Sequence, residues 1–403
     1  MRGTRLGGLV VAAAITLLAS GCWYQSGWDP GHSGFNSLES TIGTGNVASL
    51  TRRWDFGCDD LSAPIAVASP VIYEPTVDYH CSAAKVPHLI SVSESAGTEN
   101  WDVPLPGPAN TPTIGNGLFG GSGLVFLTLT NADGVGELVA LHASDGSGAW
   151  TIALPGPPIG PPTLTVAPAG VAPSGTGLLY VTTSTHQVVV ATTAGVTLET
   201  SAASVYSSPP AVGNGLVYVG GTDGSLTALD ALSLVPKWTS TVAPSPSQGV
   251  VASPALAGGN VYAGSLDGII AGFNASTGSL VWRNISLAGK VTEAPAVDGG
   301  QVFVTEVESV NPPSVGGPSV LYALDTTTGT AEWHYVDSIS WTGSGPIVAN
   351  GLVYYSNGFG DIDAVDLSGN LKAQFLSLSS FAPVVSDGLL FVLDDADIYA
   401  FGP

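Results

Sequence analysis

The chain has 403 residues, 53 of them Gly and 29 Pro, with 44% hydrophobic and only 10% charged side chains. That many turn formers beside so much apolar material exclude a disordered chain and leave room for a large core. Nine Lys and Arg stand against 31 Asp and Glu, a formal charge of −22. Such a field repels nucleic acid and anionic headgroups, since counterion release needs clustered cations and only Arg52-Arg53 form a basic pair.

Arg2 and Arg5 precede an apolar run from Leu9 to Leu18 that is too short to span a bilayer comfortably, and Ala19-Ser20-Gly21-Cys22 follow it. Small residues directly before a cysteine resemble the lipobox of bacterial lipoproteins. The resemblance implies that residues 1–21 are a signal peptide and that the Cys22 thiol receives a diacylglyceryl group, two acyl chains being enough for stable anchoring. The alternative is an ordinary secretory leader with Cys22 as a bystander. The expected location is extracytoplasmic, on the bacterial cell membrane, with contact through the lipid alone. Losing Arg2 and Arg5 brings the mature chain near −24. Cys58 and Cys81 then remain, an even number in an oxidising compartment, and are expected to pair as a disulfide; two free thiols or a ligand-poor metal site are the alternatives.

Residues 22–48, including Gly27-Trp28-Asp29-Pro30-Gly31-His32-Ser33-Gly34-Phe35-Asn36, read as a tether and arm lying along the side or one face of the domain that follows. From residue 49 to 403 one unit recurs. Its clearest copy is Pro209-Pro210-Ala211-Val212-Gly213-Asn214-Gly215-Leu216-Val217-Tyr218-Val219, then Asp223-Gly224, Ser225-Leu226-Thr227-Ala228-Leu229-Asp230 and Lys237-Trp238. Each copy is four short β-rich runs separated by Gly-Asn-Gly or Asp-Gly turns, which predicts one four-stranded antiparallel blade. Neither face of such a sheet is buried within the unit, so the blades must stack around an axis. Starts at Pro70, Pro112, Pro162, Pro209, Pro254, Pro295, Pro346 and Pro383 predict an all-β, eight-bladed β-propeller. The tryptophans Trp54, Trp101, Trp150, Trp238, Trp282 and Trp333 are read as wedges between blades. The copy from Pro162 has Leu198 near the tryptophan position, and the copy from Pro346 ends at Phe375 instead. The last copy stops after three strands, and Leu50 to Phe56, carrying Trp54, is expected to supply the fourth and close the ring. Insertions are expected from Tyr73 to Lys85 and from Glu308 to Pro318.

The runs Ala228-Leu229-Asp230-Ala231 to Trp238 and Ala323-Leu324-Asp325 to Thr328-Gly329 and Trp333 resemble the pyrroloquinoline quinone (PQQ)-like propeller repeat. Trp28 to Leu50 with Trp54 resembles the opening of secreted members. The resemblance implies either a quinoprotein alcohol dehydrogenase or a non-catalytic lipoprotein similar to BamB. The dehydrogenases hold a tricarboxylated quinone with a basic residue and a Ca²⁺ ligated by Glu, Asn and Asp, often beside a disulfide of adjacent cysteines. Cys58 and Cys81 are not adjacent, and the bases Lys85, Lys237, Arg283, Lys290 and Lys372 mostly fall in linkers or beside blade-end tryptophans. The expectation is therefore a binding or scaffolding module without a catalytic set and with no cofactor, taking a protein or envelope polymer as partner and acting as a monomer. PQQ with Ca²⁺ is the enzymatic alternative, and recognition of a cation or cell-wall glycan is a third. Two carboxylate groups are candidate metal ligands: Asp361, Asp363 and Asp366, and Asp394, Asp395 and Asp397. Both lie where blades place hairpin turns, and the six histidines show no metal-ligand spacing.

Overall fold

The computed structural model describes residues 23–57, 59–79, 86–117, 119–244, 248–285, 287, 289–307, 319–336, 344–357, 361–376, 381–394 and 396–403. Eight sheets follow one another: blade 1 spans 66–104, blade 2 113–153, blade 3 163–200, blade 4 211–241, blade 5 255–284, blade 6 296–336 and blade 7 347–376. Blade 8 takes three strands from 384–402 and its outer strand, Thr51–Gly57, from the other end of the chain. Thr51–Gly57 runs antiparallel to Asp397–Gly402, with Trp54 opposite Ala400 and Asp55 opposite Tyr399. The inner strand of blade 8, Val384–Ser386, meets that of blade 1, Ala66–Ala68, so the ring closes. This is the eight-bladed propeller, closed by an N-terminal strand, that the repeat predicts.

Six of the predicted blade-start prolines stand directly before an inner strand, and Pro209 falls one residue short, with Pro210 directly before Ala211–Gly213. Blade 1 differs from expectation. Its inner strand is Ala66–Ala68, preceded by Pro64, and Pro70 sits in the turn after it. Both prolines follow small residues, and only the register, Ala66 opposite Tyr73, separates them. The segment from Tyr73 is also not an insertion at first, since it continues as strand Val71–Tyr79 and pairs with an added short strand, Asp59–Leu61.

The core lies between blades. Tyr218, Leu226 and Ala228 of blade 4 pack with Val261, Ala263 and Phe273 of blade 5, for example. Six seams carry the same tie. Trp54, Trp101, Trp150, Trp238, Trp282 and Trp333 each donate an indole N–H, at 2.8 to 3.2 Å, to a carbonyl of the next blade's outer hairpin: Glu94, Ala143, Thr193, Ala275, Thr326 and Leu367 respectively. Each ring lies 5.7 to 5.9 Å from an aromatic of its own blade. Each also covers a hairpin glycine of the next blade. A Cβ on Gly329 would come within 2.3 Å of Trp282, and the positive φ of 69° at Gly329 is one that side chains resist.

Two seams lack the tryptophan, for different reasons. In blade 3 the register puts Glu199, opposite Val190, at the tryptophan position, while Leu198 falls in the bulge and is 38% exposed. The next blade compensates. Where the other hairpins have glycine, blade 4 has Leu234, held at φ 51° with its side chain buried against the seam, and the Tyr180 hydroxyl donates to Ala231 O at 2.8 Å. A leucine from one side thus replaces a tryptophan from the other. In blade 7 the position belongs to Ala373, opposite Ala364, and Phe375 lies two residues further on, against Phe401. The next blade there is made of two chain ends and has no outer hairpin to receive an indole. Tyr354, the register mate of Tyr180, has a buried hydroxyl without a hydrogen-bond partner among the described residues. Ile42 and Val47 of the arm are buried in the same cluster instead.

The exchange at the blade 3–4 seam is testable by a double-mutant cycle. Glu199→Trp alone is expected to overpack against Leu234 and lose roughly 1–3 kcal/mol. Leu234→Gly alone leaves a void worth roughly 2–5 kcal/mol, less the relief of its left-handed backbone. The double variant rebuilds the tie, so urea unfolding should show favourable coupling of roughly 1–3 kcal/mol. Additive losses would contradict the exchange.

Candidate functional site

The arm does not lie along the side or a face. It threads the axis of the ring and touches every blade in turn. At one register position of each inner strand the backbone N–H points inward, and the arm supplies acceptors at 2.6 to 2.9 Å: Trp23 O to Val67, Tyr24 O to Ile114, Gln25 Oε1 to Leu164, Pro30 O to Val212, Gly31 O to Leu256, Ser33 O to Val297 and Gly34 O to Val348. At blade 8 the amide of Asn36 donates to Val385 O at 2.8 Å. Phe35–Asn36 then adds a parallel strand to blade 7, and Glu39 caps the backbone N–H of Thr41, Ile42 and Gly388 as the arm leaves toward Thr51. The Gly and turn formers that read as a tether are what let the backbone curl inside the ring. Buried backbone groups require partners, and here one segment satisfies those of seven blades.

His32 sits at the centre of this plug, 2% exposed. Its Nε2 is 2.9 Å from Thr163 Oγ1 in blade 3, and Ser253 Oγ, just before blade 5, is 2.9 Å from its Nδ1. Thr163 spends its own hydrogen on Pro210 O at 2.6 Å, so the imidazole donates through Nε2 and accepts at Nδ1. Asp29 beside it accepts the N–H and O–H of Ser33, and burial raises its carboxyl above the usual range. Burial alone holds His32 down at about 4. The unfolded chain therefore takes a proton below about pH 6.5 that the folded chain refuses until about pH 4, so stability falls as pH drops across that window, by roughly 3 kcal/mol in full. Urea midpoints of wild type and His32→Asn, compared between pH 7 and pH 4, should diverge in that direction. Parallel pH profiles would show that the imidazole is not held neutral.

Two openings border this framework. At one mouth of the axis a cavity of about 360 Å³ is lined by arm residues Gly27, His32 and Gly34 and by Glu293, Pro346 and Phe381. Burial raises the Glu293 carboxyl, and Thr292 donates to it. A larger groove of about 910 Å³ runs along the seam between blades 7 and 8, lined by Val47, Leu50, Arg52, Asp361, Ala373, Phe375, Leu376, Asp394, Tyr399 and Phe401. The sequence marked only the missing tryptophan of the copy from Pro346; the groove itself arises from what Ala373, at that register position, lacks.

The described carboxylates expected as metal candidates are engaged by side chains and backbone of their own blades. Asp361 and Asp366 stand at opposite ends of one strand, Asp361–Asp366, and Asp363 is buried between them, bonded to the Gln374 amide at 2.9 Å. Asp366 pairs with Lys372 at 2.8 Å and caps the hairpin at Ser368 and Asn370. Asp394 caps the N–H groups of Ala396 and Asp397, and the Tyr399 hydroxyl bridges Asp394 and Asp397 at 2.9 and 3.0 Å. Among the described residues no three His, Cys, Asp or Glu side chains converge as metal ligands. Asp395, Cys22, Cys58 and Cys81 lie outside the described residues, as do residues 1–21. No helix among the described residues is long and apolar enough to cross a membrane.

A family model described as outer membrane protein assembly factor BamB, built on PQQ-like repeats, matches residues 85–167 and 164–368. The chain belongs to this BamB-type family. Among solved structures it is similar to BamB from Moraxella catarrhalis, with 17% identity and a TM-score of 0.66 over 88% of this chain and 100% of that one. It is equally similar in fold to quinohemoprotein alcohol dehydrogenases. The one from Pseudomonas putida HK5 is 13% identical, with a TM-score of 0.70 over 95% of this chain and 80% of that one. The one from Comamonas testosteroni is 13% identical, with a TM-score of 0.68 over 95% and 81%. No curated protein matches the chain in sequence. At these identities the structural neighbours establish the fold, and both classes share it.

Proposed function

We propose that the chain is an exported, lipid-anchored propeller that binds or scaffolds a protein or polymer partner at the cell envelope and does no chemistry of its own. The observation that carries this reading is the filled axis. A propeller offers an enclosed site in its central channel, and here the chain's own arm occupies it, hydrogen-bonded to every blade. The cavity left at the axial mouth does not suit a tricarboxylated quinone: among the described residues its lining includes the Glu293 carboxyl and no Lys or Arg. Placing three carboxylates beside a buried acid without a cation is strongly unfavourable. The description of the matching family, an outer membrane protein assembly factor, supports an envelope role. The anchor rests on Arg2, Arg5 and the small residues before Cys22.

Three measurements test this. The wild-type chain should label with palmitate and partition into detergent, and Cys22→Ala should abolish both. Pull-down from detergent-solubilised membranes through the anchored form should then recover a partner. Incubation with PQQ and Ca²⁺ should give neither quinone absorbance nor dye reduction with an alcohol. A turnover signal there would replace the binding reading with a dehydrogenase.

A further inference from the structure

We infer that the groove at the seam between blades 7 and 8 docks an extended peptide segment of a partner protein, one that presents an apolar or aromatic side chain flanked by Lys or Arg. The inference rests on the binding reading above and adds where the partner sits and what chemistry it brings.

The fold states its own rule for a seam. Six are wedged by a tryptophan and the blade 3–4 seam by Leu234, which leaves there a smaller opening of about 380 Å³ lined by Ser, Ala and Thr alongside Glu199 and Leu234. At the blade 7–8 seam the register position holds Ala373, and the space is an open groove of about 910 Å³. Its floor is apolar, with the Phe375 and Phe401 rings 5.1 Å apart and Val47 and Leu50 beside them. Leu376 on its wall is 83% exposed, more than any other large apolar side chain among the described residues. An apolar surface of this kind marks a contact site more often than an accident of folding.

The wall is built from four consecutive residues, Ala373 to Leu376, of the outer strand Leu371–Leu376, which pairs with one strand only among the described residues. Its outer edge, unpaired among the described residues, offers the backbone donors and acceptors that an added strand uses, and alternate side chains of the added strand would reach the floor. Charge selects the flanking residues. Asp361 and Asp394 line the groove, while the one cation among its described lining residues, Arg52, is paired with Asp55 at 2.9 Å and stacked over the Tyr399 ring at 4.3 Å. The remaining field is negative, as is that of the whole chain, and favours a basic segment.

The test uses the full chain in detergent and a dye-labelled synthetic peptide, acetyl-Lys-Trp-Lys-Phe-Lys-amide, read by fluorescence polarisation. The peptide should bind saturably, and the Glu-for-Lys version about tenfold more weakly or not at all. Ala373→Trp fills the groove with the side chain used at the other seams, and Leu376→Glu changes only an exposed position. Each should weaken binding at least about tenfold, while Asp133→Lys, on an exposed hairpin of blade 2, should change it less than about twofold. Equal binding by wild type, Ala373→Trp and Leu376→Glu, or no binding at about 1 mM peptide, overturns the inference. If wild type and Ala373→Trp recover the same envelope proteins, the groove falls while the binding reading stands. Alcohol oxidation with PQQ removes the binding reading itself.

Discussion

Replacing Trp282 by alanine is expected to lower stability by roughly 3–5 kcal/mol, among the largest losses available from one side chain in this ring. The indole is 6% exposed, lies 5.7 Å from the Tyr262 ring, donates to Thr326 O at 2.8 Å and covers Gly329. Alanine removes the wedge, leaves the carbonyl without its donor and opens the seam between blades 5 and 6. Trp282→Phe keeps most of the apolar contact and loses the hydrogen bond, so its cost should be nearer 1–2 kcal/mol by the usual worth of such a bond (~1 kcal/mol) plus the lost volume. Gly329→Ala attacks the same joint from the other blade, where the new methyl group meets the indole and the backbone sits at φ 69°. It should be as damaging as the tryptophan loss, and the pair should be strongly non-additive in urea unfolding. Small, additive effects would mean that the indoles are surface ornaments and that the blades are held by their inner strands alone.

Removing residues 23–36 while keeping Thr51–Gly57 is expected to be the more severe change. Seven inward-facing N–H groups lose their acceptors together, and the ring loses a segment that contacts all eight blades. At a net worth of about 1 kcal/mol for each hydrogen bond, the loss is on the order of 5 kcal/mol even if water enters the axis. The distinguishing signature is in hydrogen exchange. The amides of Val67, Ile114, Val212, Leu256, Val297 and Val348 lie in different blades, yet should lose protection as a set. If their protection survived the deletion, the arm would be an appendage and the axis an open channel, and the argument against an enclosed cofactor would lose its support.

The architecture was legible because it is written many times. Gly-Asn-Gly and Asp-Gly turns mark the hairpins, the runs ending in Ala-Leu-Asp mark the third strands, and the missing strand of the last copy pointed to Leu50 to Phe56 as its partner, which the structure forms as Thr51–Gly57. Repetition allows one clear copy to interpret a degenerate one, which is why eight blades could be counted although the first start was assigned to Pro70 rather than Pro64.

What the sequence determined by itself, then, is the repeat, the ring and its closure, since turn chemistry and strand pattern are local and act within some 40 residues. Tertiary structure decided the rest. That Pro30, Gly31, Ser33 and Gly34 cap strands in blades 4 to 7 is a matter of backbone carbonyls, which carry no residue signature. That Glu199 with Leu234 forms one seam, and Ala373 opens another, depends on which residues of neighbouring blades face each other after the bulge in each outer strand. The groove follows from a closure made of two chain ends, which offers no hairpin for an indole to cover, and such a consequence exists only once the ring is formed.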